Sequence, residues 1–309
     1  MTARQAIKWA VETKTIIPAF NVPYLPMMEP IIEAIADGDA IAMVQVARLE
    51  WEKFGSESVE AVAEEYHRLK KPGNTLLHLD HVPVIDEDYQ RVDVIPIFER
   101  AIKSGYQSAM IDASRLPFEE NVEATKRAAK VVHEAGLVLE AELGAVAGHE
   151  SGGIGMGYEE LFESKRGFTD ITEAARFAKE SGCDWLSVAA GSVHGAIADN
   201  VRKQKKPEAR LDISHIAALR EAVSGMPMVL HGGSGIKQSF ILEAVVNGVA
   251  KINVGTEIRQ PYESALEEKP GDLGYAKEQV YKRTLWVIND FLKINGNKSK
   301  FLGLKEGFA

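Results

Sequence analysis

The chain has 309 residues, 45% of them hydrophobic and 26% charged, a balance that excludes a disordered or fibrous protein. A chain this long can bury a full core without disulfides. Lys plus Arg number 36 and Asp plus Glu 45, a net charge of −9, so neither nucleic acid nor an anionic membrane surface is an expected partner.

Short apolar, β-branched runs recur along the chain with amphipathic segments between them. Strands are predicted at 16–22, 40–46, 75–80, 107–112, 137–143, 185–190, 227–231 and 251–254. Stretches between them carry helical periodicity, notably 118–135, 171–182, 213–223 and 236–248. Strands alternating with helices imply βαβ crossovers and a parallel sheet. About eight units is the count of a closed (β/α)8 TIM barrel. The competing fold, an open doubly wound sheet, usually has a Gly-rich turn after its first strand. Here that strand ends Asn21-Val22-Pro23-Tyr24, which favours the barrel. No linker-like stretch divides the chain, so 1–309 reads as one domain with extra helices after about residue 257. Two stretches break the rhythm. Residues 144–168 carry seven glycines and read as a mobile active-site loop, 145–168 in the strict sense. Residues 195–210 contain the basic run Arg202-Lys203-Gln204-Lys205-Lys206, by default a solvated segment.

In such a barrel the C-terminal ends of the strands build the site. Three of the eight histidines, His81, His194 and His231, fall at or just past these ends, with Asp80, Asp112 and Glu142 nearby. Three imidazoles from different strands can hold Zn²⁺ and leave one coordination position for substrate. His67, His133 and His215 lie on predicted helices and read as structural or exposed. His78 is three residues before His81, so strict alternation puts it on the opposite face, in a packing or supporting role. His231-Gly232-Gly233-Ser234-Gly235 and Lys251-Ile252-Asn253-Val254-Gly255-Thr256 follow strands seven and eight, the usual phosphate site of the fold. Cys183 stands alone, so no internal disulfide can form and a reducing cytoplasm is expected. No apolar run approaches a membrane span, and the first residues lack the apolar stretch of a signal peptide.

The ordered set Leu77-His78-Leu79-Asp80-His81, Glu142-Leu143-Gly144, His194-Gly195 and His231-Gly232-Gly233-Ser234-Gly235 resembles the class II, metal-dependent fructose-bisphosphate and tagatose-bisphosphate aldolases. The resemblance implies that His81, His194 and His231 are zinc ligands, that Glu142 can ligate as the metal shifts, and that Asp112 lies near an alternative metal position. Asp80 matches the acid/base for the C4 hydroxyl proton, and Glu150 the loop carboxylate acting at C3. Asn21 and Asn253 match contacts to the ketose hydroxyls. Gly195, Gly232, Gly233, Ser234, Gly255 and Thr256 match the phosphate cradle of dihydroxyacetone phosphate. The resemblance also implies a homodimer or homotetramer, and in some relatives a monovalent cation. The implied reaction is zinc-dependent, reversible aldol cleavage of a phosphorylated ketose. The alternatives are an aldolase for another phosphorylated keto-sugar or keto-sugar acid, a sugar-phosphate-binding relative without catalysis, and a metal-dependent hydrolase.

Several positions depart from the pattern. Ala198 stands where relatives often carry a phosphate-binding lysine, and Glu267-Glu268-Lys269-Pro270-Gly271-Asp272 lacks the arginine expected for a second phosphate. Arg48, Glu50 and Trp51 replace small polar residues after strand two, and His149 stands beside Glu150. Together they point to an altered aldehyde half of the pocket, and the missing lysine and arginine predict poor use of fructose 1,6-bisphosphate.

Overall fold

The computed structural model describes residues 1–144, 158–192, 209–233 and 235–306. Helix α1 (Ala3–Thr13) opens the chain with a capping box: Thr2 Oγ1 accepts from the Gln5 N–H while the Gln5 side chain accepts from the Thr2 N–H. There follow β1 (Ile17–Asn21), α2 (Met28–Asp37), β2 (Ala42–Val46), α3 (Arg48–Lys53), α4 (Val59–Leu69), β3 (Thr75–Pro83) and α5 (Val94–Lys103). The middle of the chain forms β4 (Ser108–Asp112), α6 (Phe118–Glu134), β5 (Val138–Leu143), α7 (Tyr158–Ser164), α8 (Ile171–Glu180) and β6 (Trp185–Val188). Then come α9 (Ile213–Ala222), β7 (Met228–Leu230), α10 (Gln238–Val246), β8 (Val249–Val254), α11 (Thr256–Glu268), α12 (Leu273–Trp286) and α13 (Asn297–Glu306).

Among the described residues, eight parallel strands close in chain order, and β1 pairs with β8 so that Ala19 lies opposite Asn253. This is the (β/α)8 barrel expected from the alternation. Two apolar layers hold it. The outer one packs strand residues such as Phe20, Val44, Leu77, Ile111 and Leu186 against the helices. The inner one fills the lower barrel with Ile17, Met43, Leu76, Val138, Trp185 and Val229, and Ala6, Ile7 and Ala10 of α1 stop it from below. The interior is therefore dry and packed at one end. Polar side chains can meet only at the other, the C-terminal end.

Three details differ from the sequence reading. Strand β3 runs on to Pro83, with its register against β4 shifted between Leu79 and Val82. The stretch 144–168 is not all loop, since it contains α7. The helix expected at 236–248 begins at Gln238, so the glycine turn after β7 leads into it and does not open it. Thr169 ties this sector down: its hydroxyl donates to the Leu143 carbonyl at 2.5 Å and accepts from the Ala189 N–H at 2.8 Å, joining the ends of β5 and β6.

Candidate active site

Alternation along the strands turns Asn21, Gln45, Asp80, Glu140, Glu142, Lys251 and Asn253 into the barrel, where they meet one another. Strict alternation would turn His81 outward, on the face of Leu79. The register shift in β3 breaks the period, so consecutive residues Asp80 and His81 both reach the interior. His78 is accordingly on the same interior face, one layer deeper. It is fully buried, with Nδ1 2.8 Å from Ser108 Oγ and Nε2 3.7 Å from Glu140 Oε2. The expectation that it faces away from His81 fails for this reason, while a packing role is consistent with its burial.

The upper layer is a knot of imidazoles and carboxylates. The His81 and His231 rings lie 4.5 Å apart, centre to centre. His81 Nδ1 is 3.2 Å from Asp112 Oδ2 and 3.8 Å from Glu142 Oε2. His231 Nδ1 is 3.2 Å from Glu142 Oε2, off the line of a hydrogen bond. Ligand atoms of Asp80, His81 and His231, and again of His81, Asp112 and Glu142, lie within 4.8 Å of one another. Neither oxygen of the buried Glu142 has a hydrogen-bond donor among the described residues. Burial and the neighbouring Asp112 raise its carboxyl above the usual range. Burial opposes a charge on His81, yet Asp80 and Asp112 hold its imidazole well above its ordinary value. A cation at this point would relieve both tensions, so the donor set suits a metal ion.

The layer beneath orients the ligand candidates. His231 Nε2 donates to Glu140 Oε1 at 2.8 Å, which leaves Nδ1 as the lone-pair nitrogen facing the knot. Lys251 Nζ lies 2.9 Å from Glu140 Oε2 and donates to Asn253 Oδ1 at 2.7 Å. Against burial, Lys251 and the His231 hydrogen bond hold Glu140 well below the usual carboxylate range. Burial and the same lysine push His78 down to about 3, so it stays neutral. Glu140 and Lys251 had no assigned part in the sequence reading beyond structure. Their signal was there in the alternation Glu140-Ala141-Glu142 and Lys251-Ile252-Asn253, two polar interior positions in succession on one strand.

Asp80 sits in a cage of amides. Its Oδ2 accepts from Asn21 Nδ2 at 2.9 Å and Gln45 Nε2 at 3.1 Å, and its Oδ1 accepts from Asn253 Nδ2 at 2.9 Å. The amide orientations are dictated from behind. Lys251 has only donors, so it must face Asn253 Oδ1. Gln45 Nε2 likewise takes Asn21 Oδ1 at 2.8 Å. Burial would neutralise Asp80, but His81, Lys251 and His231 keep it below its ordinary value and therefore ionised. Asn21 Nδ2 is also 3.3 Å from Glu50 Oε2, which accepts in addition from the Ala47 N–H at 2.8 Å. Burial pushes the Glu50 carboxyl up to about 8.

At the β8 end of the same mouth, against Asn21, Gly255 caps α11 and Thr256 begins it, so the N–H groups of a helix start lie beside Asn253. Gly233 packs against β8: an added Cβ would come within 2.6 Å of Ile252 Cδ1 and 3.2 Å of the Asn253 carbonyl. Gly232 has φ +68°, in the left-handed region that favours glycine. Glu150, His194, Gly195 and Ser234 lie outside the described residues. His67, His133 and His215 are on α4, α6 and α9, away from the site, each within 2.9 Å of an oxygen partner.

The sequence matches the family model for fructose-bisphosphate aldolase class-II over residues 1–295. The chain belongs to the class II fructose-bisphosphate aldolase family. The fold is similar to that of the YdjI aldolase from Escherichia coli K12, with TM-score 0.75 and 26% identity, covering 96% of this chain and 99% of that one. It is also similar to the fructose-bisphosphate aldolase (Fba) from Campylobacter jejuni, with TM-score 0.72 and 20% identity over 95% of each chain. The protein is thus an enzyme, a class II aldolase, and the metal dependence of that family accords with its cluster of histidines and carboxylates. Among the described residues of this aldolase, no helix is long and apolar enough to cross a membrane.

Proposed function

We propose that this aldolase uses Zn²⁺ to cleave a phosphorylated ketose reversibly into dihydroxyacetone phosphate and an aldehyde. The observation that carries the reading is the ionised Asp80, held by three amides beside the His81–His231 pair. His81, His194 and His231 hold the metal, with Glu142 and Asp112 as further carboxylates. Bound there, Zn²⁺ supplies Lewis-acid stabilisation of the negative charge that develops on the substrate oxygens. In cleavage Asp80 takes the C4 hydroxyl proton. The C3–C4 bond pair passes to C3, and Glu150 delivers a proton to that carbon. Asn21 and Asn253 orient the hydroxyls while they orient Asp80. Gly195, Gly232, Gly233, Ser234, Gly255 and Thr256 hold the phosphate of the dihydroxyacetone half. The enzyme works in the cytoplasm as a homodimer or homotetramer, and a monovalent cation can assist phosphate binding. The lysine missing at position 198, which is Ala198, and the arginine missing from 267–272 make fructose 1,6-bisphosphate a poor substrate.

A coupled assay over several ketose phosphates, with and without chelator, tests the reading. Cleavage should stop on chelation and return with zinc. Asp80→Ala should keep its zinc and lose turnover by roughly 10²–10⁴-fold, the usual contribution of one acid/base. Unchanged turnover in Asp80→Ala would remove it from the chemistry.

A further inference from the structure

The first turn of α3 follows directly on β2, which brings Glu50 to the same C-terminal mouth as Asp80. The two carboxyl groups flank one nitrogen: Asn21 Nδ2 donates to Asp80 at 2.9 Å and to Glu50 Oε2 at 3.3 Å. Glu50 Oε2 is fully engaged, because the Ala47 N–H also donates to it at 2.8 Å. Its other oxygen, Oε1, makes no hydrogen bond among the described residues, and the residue keeps 9% exposure. No cation lies within ion-pair distance of it among the described residues. Arg48, two positions earlier, is turned to Asp86 at 3.6 Å and Glu52 at 3.7 Å.

We propose that Glu50 is a specificity-determining residue that contacts the aldehyde half of the ketose and selects an uncharged, hydroxylated end over a phosphorylated one. The inference rests on the aldolase reading in which Asp80 serves the C4 hydroxyl. Around the ring of strands β1 stands between β2 and β8, so Glu50, just after β2, is set apart from the β7 and β8 turns that hold the first phosphate and reaches Asp80, the C4 group, through Asn21. A carboxyl group pairs with a hydroxyl in either ionisation state, accepting as the anion and donating as the acid. It offers a phosphate dianion repulsion in the first state and one neutral hydrogen bond in the second, where a phosphate site needs charge-assisted donors. Burial keeps Glu50 largely protonated at neutral pH, so the pairing with a hydroxyl costs no buried charge.

Condensation with dihydroxyacetone phosphate tests this, scored as its consumption so that the stereochemistry at C4 does not enter. The two acceptors are racemic glyceraldehyde and racemic glyceraldehyde 3-phosphate. Wild-type enzyme should use glyceraldehyde with the higher kcat/KM. Glu50→Ala should lower that preference by about tenfold or more, the size of one well-placed hydrogen bond. Glu50→Gln, which keeps a donor and an acceptor, should restore most of it at neutral pH. A wild-type enzyme that prefers glyceraldehyde 3-phosphate overturns the inference without any variant. So does an unchanged preference in a Glu50→Ala enzyme with normal zinc content. Consumption of neither acceptor by an enzyme that still cleaves a ketose phosphate in the coupled assay overturns the inference alone, whereas cleavage of no ketose phosphate at all overturns the proposed reaction and the inference with it.

Discussion

Lys251 shows how much a single buried side chain carries here. It is fully buried, and its ammonium is the nearest positive group to Glu140, which in turn holds His231. Replacing it by methionine fills similar space but leaves Glu140 charged and unpaired in the interior. Removing one partner of a buried pair costs about 3–5 kcal/mol. Lys251→Met should therefore lower the free energy of unfolding in urea by that amount, and adding Glu140→Gln should restore part of it, since the two sites are coupled. Additive losses in the double variant would show that the pair does not act as a unit. Sequence reading could assign His81, His231, Asp80, Asn21 and Asn253 to one locus, because each sits at the C-terminal end of a predicted strand. It marked Glu50 only as one of three departures after strand two, with Arg48 and Trp51, and not as a neighbour of Asp80. That residue reaches the site only because α3 starts one residue after β2, and no periodicity announces a short helix of six residues.

Among the elements, β3 and the turn after β7 decide the geometry. The eight strands were legible from their apolar runs, mostly to within two residues at each end, because a parallel strand buried on both faces leaves a continuous signal. The irregularity in β3 was not. Thr75-Leu76-Leu77-His78-Leu79-Asp80 reads as a regular strand, and the shift beyond Leu79 arises from pairing with β4, which a single strand does not encode. The turn after β7 makes a sharper demand. Gly233→Ala would drive a methyl group into Ile252 and against the Asn253 carbonyl. Overpacking of this kind costs about 1–3 kcal/mol. Because the displaced residues lead to the amide that holds Asp80, kcat should fall more than KM rises. Pairing Gly233→Ala with Ile252→Val should recover activity; no recovery would place the damage elsewhere than in this contact.

At the scale of the molecule, the barrel separates stability from chemistry. Its lower end is sealed by α1 and an apolar interior, and its upper end gathers the titratable groups. The seam between β1 and β8 crosses that upper end, with Ala19 opposite Asn253 and Asn21 just beyond. Two of the three amides around Asp80 thus come from strands that lie more than two hundred residues apart in the chain and touch only when the cylinder shuts. Contacts between such distant segments form late, since a long stretch of chain must first be ordered between them. In refolding from denaturant, helical signal should return before catalysis, and catalytic recovery should follow the slowest step that the seam controls. Weakening the seam remotely, for example at Ile17, should delay the return of activity while the early helical phase keeps its rate. If activity instead returned with the helical signal, Asp80 would already be in place on an open sheet. The closing seam makes this catalyst an end product of folding, so a nascent or partly opened chain is held inactive by topology alone, without any inhibitor.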